Sequence, residues 1–197
     1  MNDIIEIENI IPKEYQDYIE QSVTGKKFPW YFNSNMVSPE EPLLGIPGNI
    51  QGFNHFLYEE NIAVSPFFDA IYPIVLSITE KSGVRFNKVE RMRFNITFRN
   101  KEITGYHLPH IDSYFPHYNA IYYVNDSDGD TVIFNETNED FSDDIDRIKN
   151  STWTEKYRCT PKKGKMLIFP GKYYHASSSA ITSPHRVVLN INLTKVF

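Results

Sequence analysis

From Gly83 onward the chain breaks into short β-prone runs separated by turn signals, and this spacing limits the fold more than any other feature. The runs are "VERMRFNITFR", "HIDSY", "YNAIYYVN", "TVIFNE", "YRCTP", "KMLIFPG", "YYHASSS" and "HRVVLNINLT". Many short, evenly spaced strands that follow a helical segment predict a β-sandwich or jelly roll with helices packed outside it. Aromatic residues are 15% of the chain, which suits pleated surfaces. "NDSDGDT" reads as a hairpin-type connection between "AIYYVN" and "TVIF", because Asp-Gly tolerates the positive φ of such turns. "PKKGK" is a second turn.

The N-terminal part is read as helical support over about 1–85, with the jelly-roll core over about 86–197, together one domain. "IIEIENII" alternates as a short strand, and Pro12 suits the start of a helix that carries Tyr15, Ile19 and Val23 on one stripe. The segment from Asn33 to Phe56 is rich in Asn, Pro and Gly and predicts loops with at most one short strand. From Ser65 to Lys81, Ser65 is a candidate N-cap, and Phe68, Ile71, Val75 and Ile78 form an apolar stripe. Pro73 inside that stripe predicts a kink or a later helix start. The acidic stretch holding Asp143, Asp144 and Asp146 lacks the glycine and glutamate of a calcium loop, and predicts a solvated loop with a short helix.

Charge and cysteine content narrow the function. A formal net charge of −5 argues against a general phosphate-backbone binder. The single cysteine, Cys159, allows neither an intrachain disulfide nor a thiolate zinc cluster. The N-terminus lacks the pattern of a signal peptide, and no apolar run approaches the ~20 residues that span a bilayer. The expectation is a soluble, cytoplasmic or otherwise intracellular protein that binds neither nucleic acid nor membrane.

The chemistry concentrates in "GYHLPHIDSYFPHYNAIYYVND". On a strand, His110 and Asp112 project from one face, so an imidazole and a carboxylate can grip one ion. Alone, this triplet also fits an ordinary surface pair. Downstream, "GKMLIFPGKYYHASSS" supplies His175, and "SPHRVVLNINL" supplies Arg186. Two neutral imidazoles and a carboxylate with coordination positions left open suit non-haem Fe(II).

These pieces, in this order, resemble the Fe(II)/2-oxoglutarate-dependent dioxygenases, and most closely their prolyl 4-hydroxylase-like branch. The resemblance runs from about Val89 to Leu193 and includes "AIYYVNDSDGDTVIF", "PKKGKMLIFPGKYYHA" and "HRVVLNINL". It implies a double-stranded β-helix, with His110, Asp112 and His175 as iron ligands. It implies that Arg186 pairs with the distal carboxylate of 2-oxoglutarate, the co-substrate used with dioxygen. Tyr123 stands where the family often places a tyrosine hydroxyl near that carboxylate. Asn190 shares the face of Arg186 and is a further candidate for the co-substrate pocket, and Asn95 is a candidate wall residue.

The implied activity is hydroxylation of an unactivated C–H bond, of a prolyl residue in a peptide or protein, or of a free amino acid or other small molecule. From a different class, a jelly-roll binding module with a vestigial metal site also fits. A nucleic-acid dealkylase fits less well, because Asn192 stands where that branch has a second arginine. His185 adjoins Arg186 and so faces the opposite way on a regular strand. His107 and His117 are expected at the rim of the site, and His117 and His55 fit either a pocket mouth or, more commonly, an ordinary surface position.

Overall fold

A computed structural model describes residues 3–36, 50–102, 105–142, 148 and 150–194. Asp143, Asp144 and Asp146 lie outside the described residues. The described strands form two antiparallel sheets. The larger has the order β1 (Ile5–Ile7), β9 (Met166–Pro170), β6 (Tyr118–Tyr123), β11 (His185–Thr194), β5 (Lys88–Phe98), β3 (Gly52–Glu59) and β2 (Tyr31–Asn33). A short β4 (Ile62–Ala63) pairs with β3 off this path. The smaller sheet has the order β10 (Tyr173–Ser177), β7 (Thr131–Thr137), β8 (Glu155–Cys159). This is the mainly β jelly-roll architecture that the strand spacing predicts.

Side-chain alternation divides the large sheet into two surfaces with different jobs. One face carries Val187, Leu189, Ile191 and Leu193 from β11, Met92 and Phe94 from β5, and Ala120 and Tyr122 from β6. These pack against α1 (Lys13–Thr24), α2 (Phe68–Ile71) and α3 (Ile74–Ser82) through Ile19, Val23, Ile71, Ile74, Val75 and Ile78. Each fully buried aliphatic side chain there contributes about 1.5–3 kcal/mol. The opposite face carries Ile121, Tyr123, Leu167, Phe169 and Val188, which meet Ile133, Cys159 and Tyr173 of the small sheet. On β11 this second face also holds Arg186, Asn190 and Asn192, all buried. The alternation therefore supplies an apolar side that anchors the strand and a polar side that faces the other sheet.

The helices form as the patterns require. Pro12 precedes α1, and Ile19 and Val23 are buried while Tyr15 is half-buried and donates its hydroxyl to the Ala70 carbonyl at 2.6 Å. Pro73 separates α2 from α3, and Gly83 ends α3 with φ +70°, a conformation that costs glycine little. Ser65 Oγ accepts the Phe67 N–H at 3.1 Å.

Three expectations need correction. The "NDSDGDT" segment is not a hairpin: β6 pairs with β9 and β11, whereas β7 pairs with β8 and β10. The segment carries the chain from one sheet to the other. Asp128 fixes it by accepting the backbone N–H groups of Thr182 at 2.7 Å and Ser183 at 3.0 Å. Gly129 serves close approach rather than positive φ, since a Cβ there would lie 2.9 Å from the Ser178 carbonyl oxygen. Second, "HIDSY" forms no full strand. Only His110 in it pairs with β10, through a single bridge to His175, while Tyr106 upstream bridges Ser178 just beyond β10. Third, the N-terminal part is more than helical support, because β1 lies at one edge of the large sheet and β2–β4 lie at the other. β3 also starts inside the stretch read as loops.

Candidate metal centre

The bridge between His110 and His175 is what assembles the site. His110 N–H donates to the His175 carbonyl and His175 N–H to the His110 carbonyl, both at 3.0 Å. This pair brings the two imidazoles to 4.5 Å between ring centroids. Two residues on, Asp112 is directed at them. Its carboxylate oxygens lie 3.9 Å from His110 Nε2 and 3.8 Å from His175 Nε2. One ligand atom from each of the three residues falls within 4.8 Å of the others.

Each ligand is oriented by a second contact. His110 Nδ1 lies 3.1 Å from the Leu108 carbonyl oxygen and His175 Nδ1 lies 3.4 Å from that of Tyr173. A proton on Nδ1 donated to these carbonyls leaves the Nε2 lone pairs directed at the shared point. Burial pushes His175 down to about 3, with the neighbouring His110 acting in the same direction, and burial also lowers His110. Both rings are therefore neutral, as metal ligation requires. Asp112 Oδ2 accepts from Asn190 Nδ2 at 2.9 Å and Asn192 Nδ2 at 3.3 Å, and Arg91 stands 3.5 Å from Oδ1. Burial raises the Asp112 pKa, but His175, Arg91 and His110 outweigh it and hold the carboxyl well below its ordinary range.

The three residues open onto a cleft between the sheets whose wall also includes Arg93, Asn95, Thr131, Arg186 and Asn190. Arg186 is buried, and its NH2 group donates to Thr131 Oγ1 at 2.8 Å. Its Nε has no partner, and among the described residues it forms no ion pair with a carboxylate. A buried guanidinium without a counter-ion fits a ligand that brings its own carboxylate. The donor set of two imidazoles and a carboxylate fits Fe(II). The residues present thus fit both an iron ion and a 2-oxoglutarate tail.

The structure places the remaining candidates as follows. Asn190 contacts Asp112, and Asn95 lines the cleft with its Oδ1 unpartnered. Tyr123 is not in the cleft wall. Its hydroxyl donates to Thr131 Oγ1 at 2.8 Å, and its ring lies under Arg186, 5.7 Å from the guanidinium carbon. It supports the arginine through Thr131, a residue that no sequence signal marks. His185 lies outside the cleft wall, in keeping with strand parity.

The other three histidines are buried and none is in the wall of the metal cleft, although His107 lines an adjoining cavity that shares Ile50 and Thr97 with it. His107 has both ring nitrogens on hydroxyls, Ser177 Oγ at 2.9 Å and Ser179 Oγ at 2.8 Å, and burial pushes it down to about 4. His55 sits between the Pro29 carbonyl and Ser65 Oγ, each 2.7 Å away. His117 is bonded to the Phe115 carbonyl at 2.7 Å and packs over Gly171. Their partners are far away in sequence or are main-chain groups, so composition could not reveal them.

No protein-family model matches the sequence, and no curated protein matches it. The fold is nevertheless shared with solved structures. A 2OG-Fe(II) oxygenase family oxidoreductase from Burkholderia pseudomallei aligns with TM-score 0.67 at 8% identity, over 98% of this chain and 85% of its own. A prolyl-4-hydroxylase from Pseudomonas putida aligns with TM-score 0.56 at 10% identity, over 99% and 94%. The non-heme alpha ketoglutarate dependent epimerase SnoN from nogalamycin biosynthesis aligns with TM-score 0.61 at 10% identity, over 98% and 78%. The chain therefore has the fold of the 2OG-Fe(II) oxygenases, prolyl hydroxylases among them, and carries a convergent His-Asp-His group.

Proposed function

We propose that this chain is an Fe(II)- and 2-oxoglutarate-dependent dioxygenase that hydroxylates an unactivated C–H bond. The substrate class favoured by the sequence resemblance is a prolyl residue of a peptide or protein, with a free amino acid as the second reading. The observation that carries the proposal is the pairing of two groups in one cleft. His110, Asp112 and His175 converge at one end, and the buried cation Arg186 stands without a carboxylate partner among the described residues.

When bound, iron and 2-oxoglutarate supply oxidative chemistry: the keto acid and dioxygen give succinate and carbon dioxide, and the second oxygen atom enters the substrate. The chain's own residues bind and orient. His110, Asp112 and His175 would hold the ion. Arg186 takes the distal carboxylate, and its position is fixed by Thr131, which Tyr123 braces from behind. Asn190 and Asn192 hold Asp112 in its ligating orientation. Val188 and Ile121 give the cleft an apolar patch that excludes water from the reacting centre.

The test is a screen of proline-containing peptides and free amino acids, incubated aerobically with the chain, Fe(II) and 2-oxoglutarate. The expected result is a product heavier by one oxygen atom, absent when either Fe(II) or 2-oxoglutarate is left out. A transformed product with no added oxygen would contradict hydroxylation.

A further inference from the structure

Strand β5 presents Arg91, Arg93, Asn95 and Thr97 on its polar face, and the two arginines differ in how they are used. Arg91 is engaged, donating from Nε to Asn192 Oδ1 at 2.9 Å and standing beside the Asp112 carboxylate. Arg93 lines the cleft, yet among the described residues it has neither a hydrogen bond nor an ion pair. Its Nε is buried without a partner. The Phe56 ring lies 5.7 Å from its guanidinium carbon, and the Asp112 and Glu59 carboxylates act on it only from beyond ion-pair distance. Burial pushes Arg93 down to about 10, with Arg91 adding to the effect, so it stays charged at neutral pH. A cation held this way is costly unless an anion arrives.

The acceptors beside it are complementary. Asn190 faces Arg93 across the β5–β11 register. Because Asn190 Nδ2 is committed to Asp112, its Oδ1 is fixed as an acceptor, and that oxygen is buried without a donor. Asn95, two residues along β5, also has a buried Oδ1 without a donor. Among the described residues, the cleft therefore has no carboxylate paired directly with Arg93 and no N–H donor at two adjacent oxygens. A carboxylate held at Arg186 does not meet the first need, since Arg186 faces Thr97, four residues along β5 from Arg93, or about 13 Å of strand.

We infer that the primary substrate is a free amino or imino acid, with its carboxylate on Arg93 and its ammonium on Asn190 Oδ1 and Asn95 Oδ1. This rests on the dioxygenase reading for the site's use, and it selects the free acid over a residue inside a peptide, whose carboxylate and amine are both tied up in amide bonds. A carboxylate, with one charge and a planar pair of oxygens, matches the single guanidinium fork.

The test is calorimetric titration of the chain loaded with Mn(II), a redox-inert substitute, and saturated with 2-oxoglutarate to fill the Arg186 end. The twenty protein amino acids are compared with their carboxamides, up to 10 mM, and the series is repeated without metal and 2-oxoglutarate. At least one free acid is expected to bind, with its carboxamide weaker by at least about tenfold. Arg93→Gln is expected to weaken that acid by about thirtyfold or more, and Arg93→Lys to recover part of the loss. The thermal midpoint of Arg93→Gln should fall little, because the substitution removes only the contact over the Phe56 ring and no hydrogen bond or ion pair among the described residues, and this separates a binding loss from misfolding. The inference is overturned if no amino acid binds, if carboxamides bind as well as acids, if Arg93→Gln binds normally, or if its defect is confined to 2-oxoglutarate. Amino-acid binding with no succinate formed under turnover conditions would count against the oxidative reading alone.

Discussion

Asp112→Ala is expected to abolish useful iron binding, lowering metal affinity by at least about two orders of magnitude. Loss of an outer contact to a ligand typically costs about 10–100-fold, and Asp112 is the only carboxylate in the group, so its removal costs more. It is also the anion that makes the site selective for a divalent cation over a neutral ligand. The loss extends to the metal-free chain, because Arg91 would lose its ion pair and the amides of Asn190 and Asn192 their common acceptor. The Asp112 pKa is depressed in the fold, so its contribution to stability is present above the ordinary value of 3.8 and is lost as pH falls through the lower folded value. Titration of Fe(II) under anaerobic conditions, with thermal unfolding at neutral pH, checks both effects. Unchanged iron affinity in the variant would remove Asp112 from the ligand set.

Arg186→Ala is expected to raise the 2-oxoglutarate requirement by about 10²-fold while iron binding is kept. A buried, hydrogen-bonded charge pair loses about 2–5 kcal/mol when one partner is truncated, and 1.4 kcal/mol is a factor of ten. Arg186 does not touch the His-Asp-His group, so metal affinity should survive, and this separates the two halves of the site. Apparent KM for 2-oxoglutarate, measured beside iron affinity, decides the matter. An unchanged KM would mean that the co-substrate is held elsewhere.

Much of this arrangement was readable along the chain wherever a single strand's alternation decides it. Parity places Arg186 and Asn190 on one face and His185 on the other. It puts Ile121 and Tyr123 opposite Tyr122, and the structure agrees on both counts. The same parity links Arg93 to Asn95, a residue the sequence did single out. The hidden parts depend on which strand lies beside which. The β6–β7 connection has all the marks of a hairpin, yet each strand finds better neighbours in a different sheet. Thr131 becomes a support of Arg186 only because that crossover carries it there. His110 and His175 meet through one isolated bridge, so His110 and Asp112 are legible as a pair, but the contact that completes the site is tertiary.

The most direct measurement is release of labelled carbon dioxide from 2-oxoglutarate labelled at its first carbon. We predict release that requires Fe(II) and dioxygen and disappears in Asp112→Ala. With the iron shown to be bound, no release above the protein-free rate, across the amino-acid and peptide panel, would contradict the account and leave a jelly-roll binding module with a metal site.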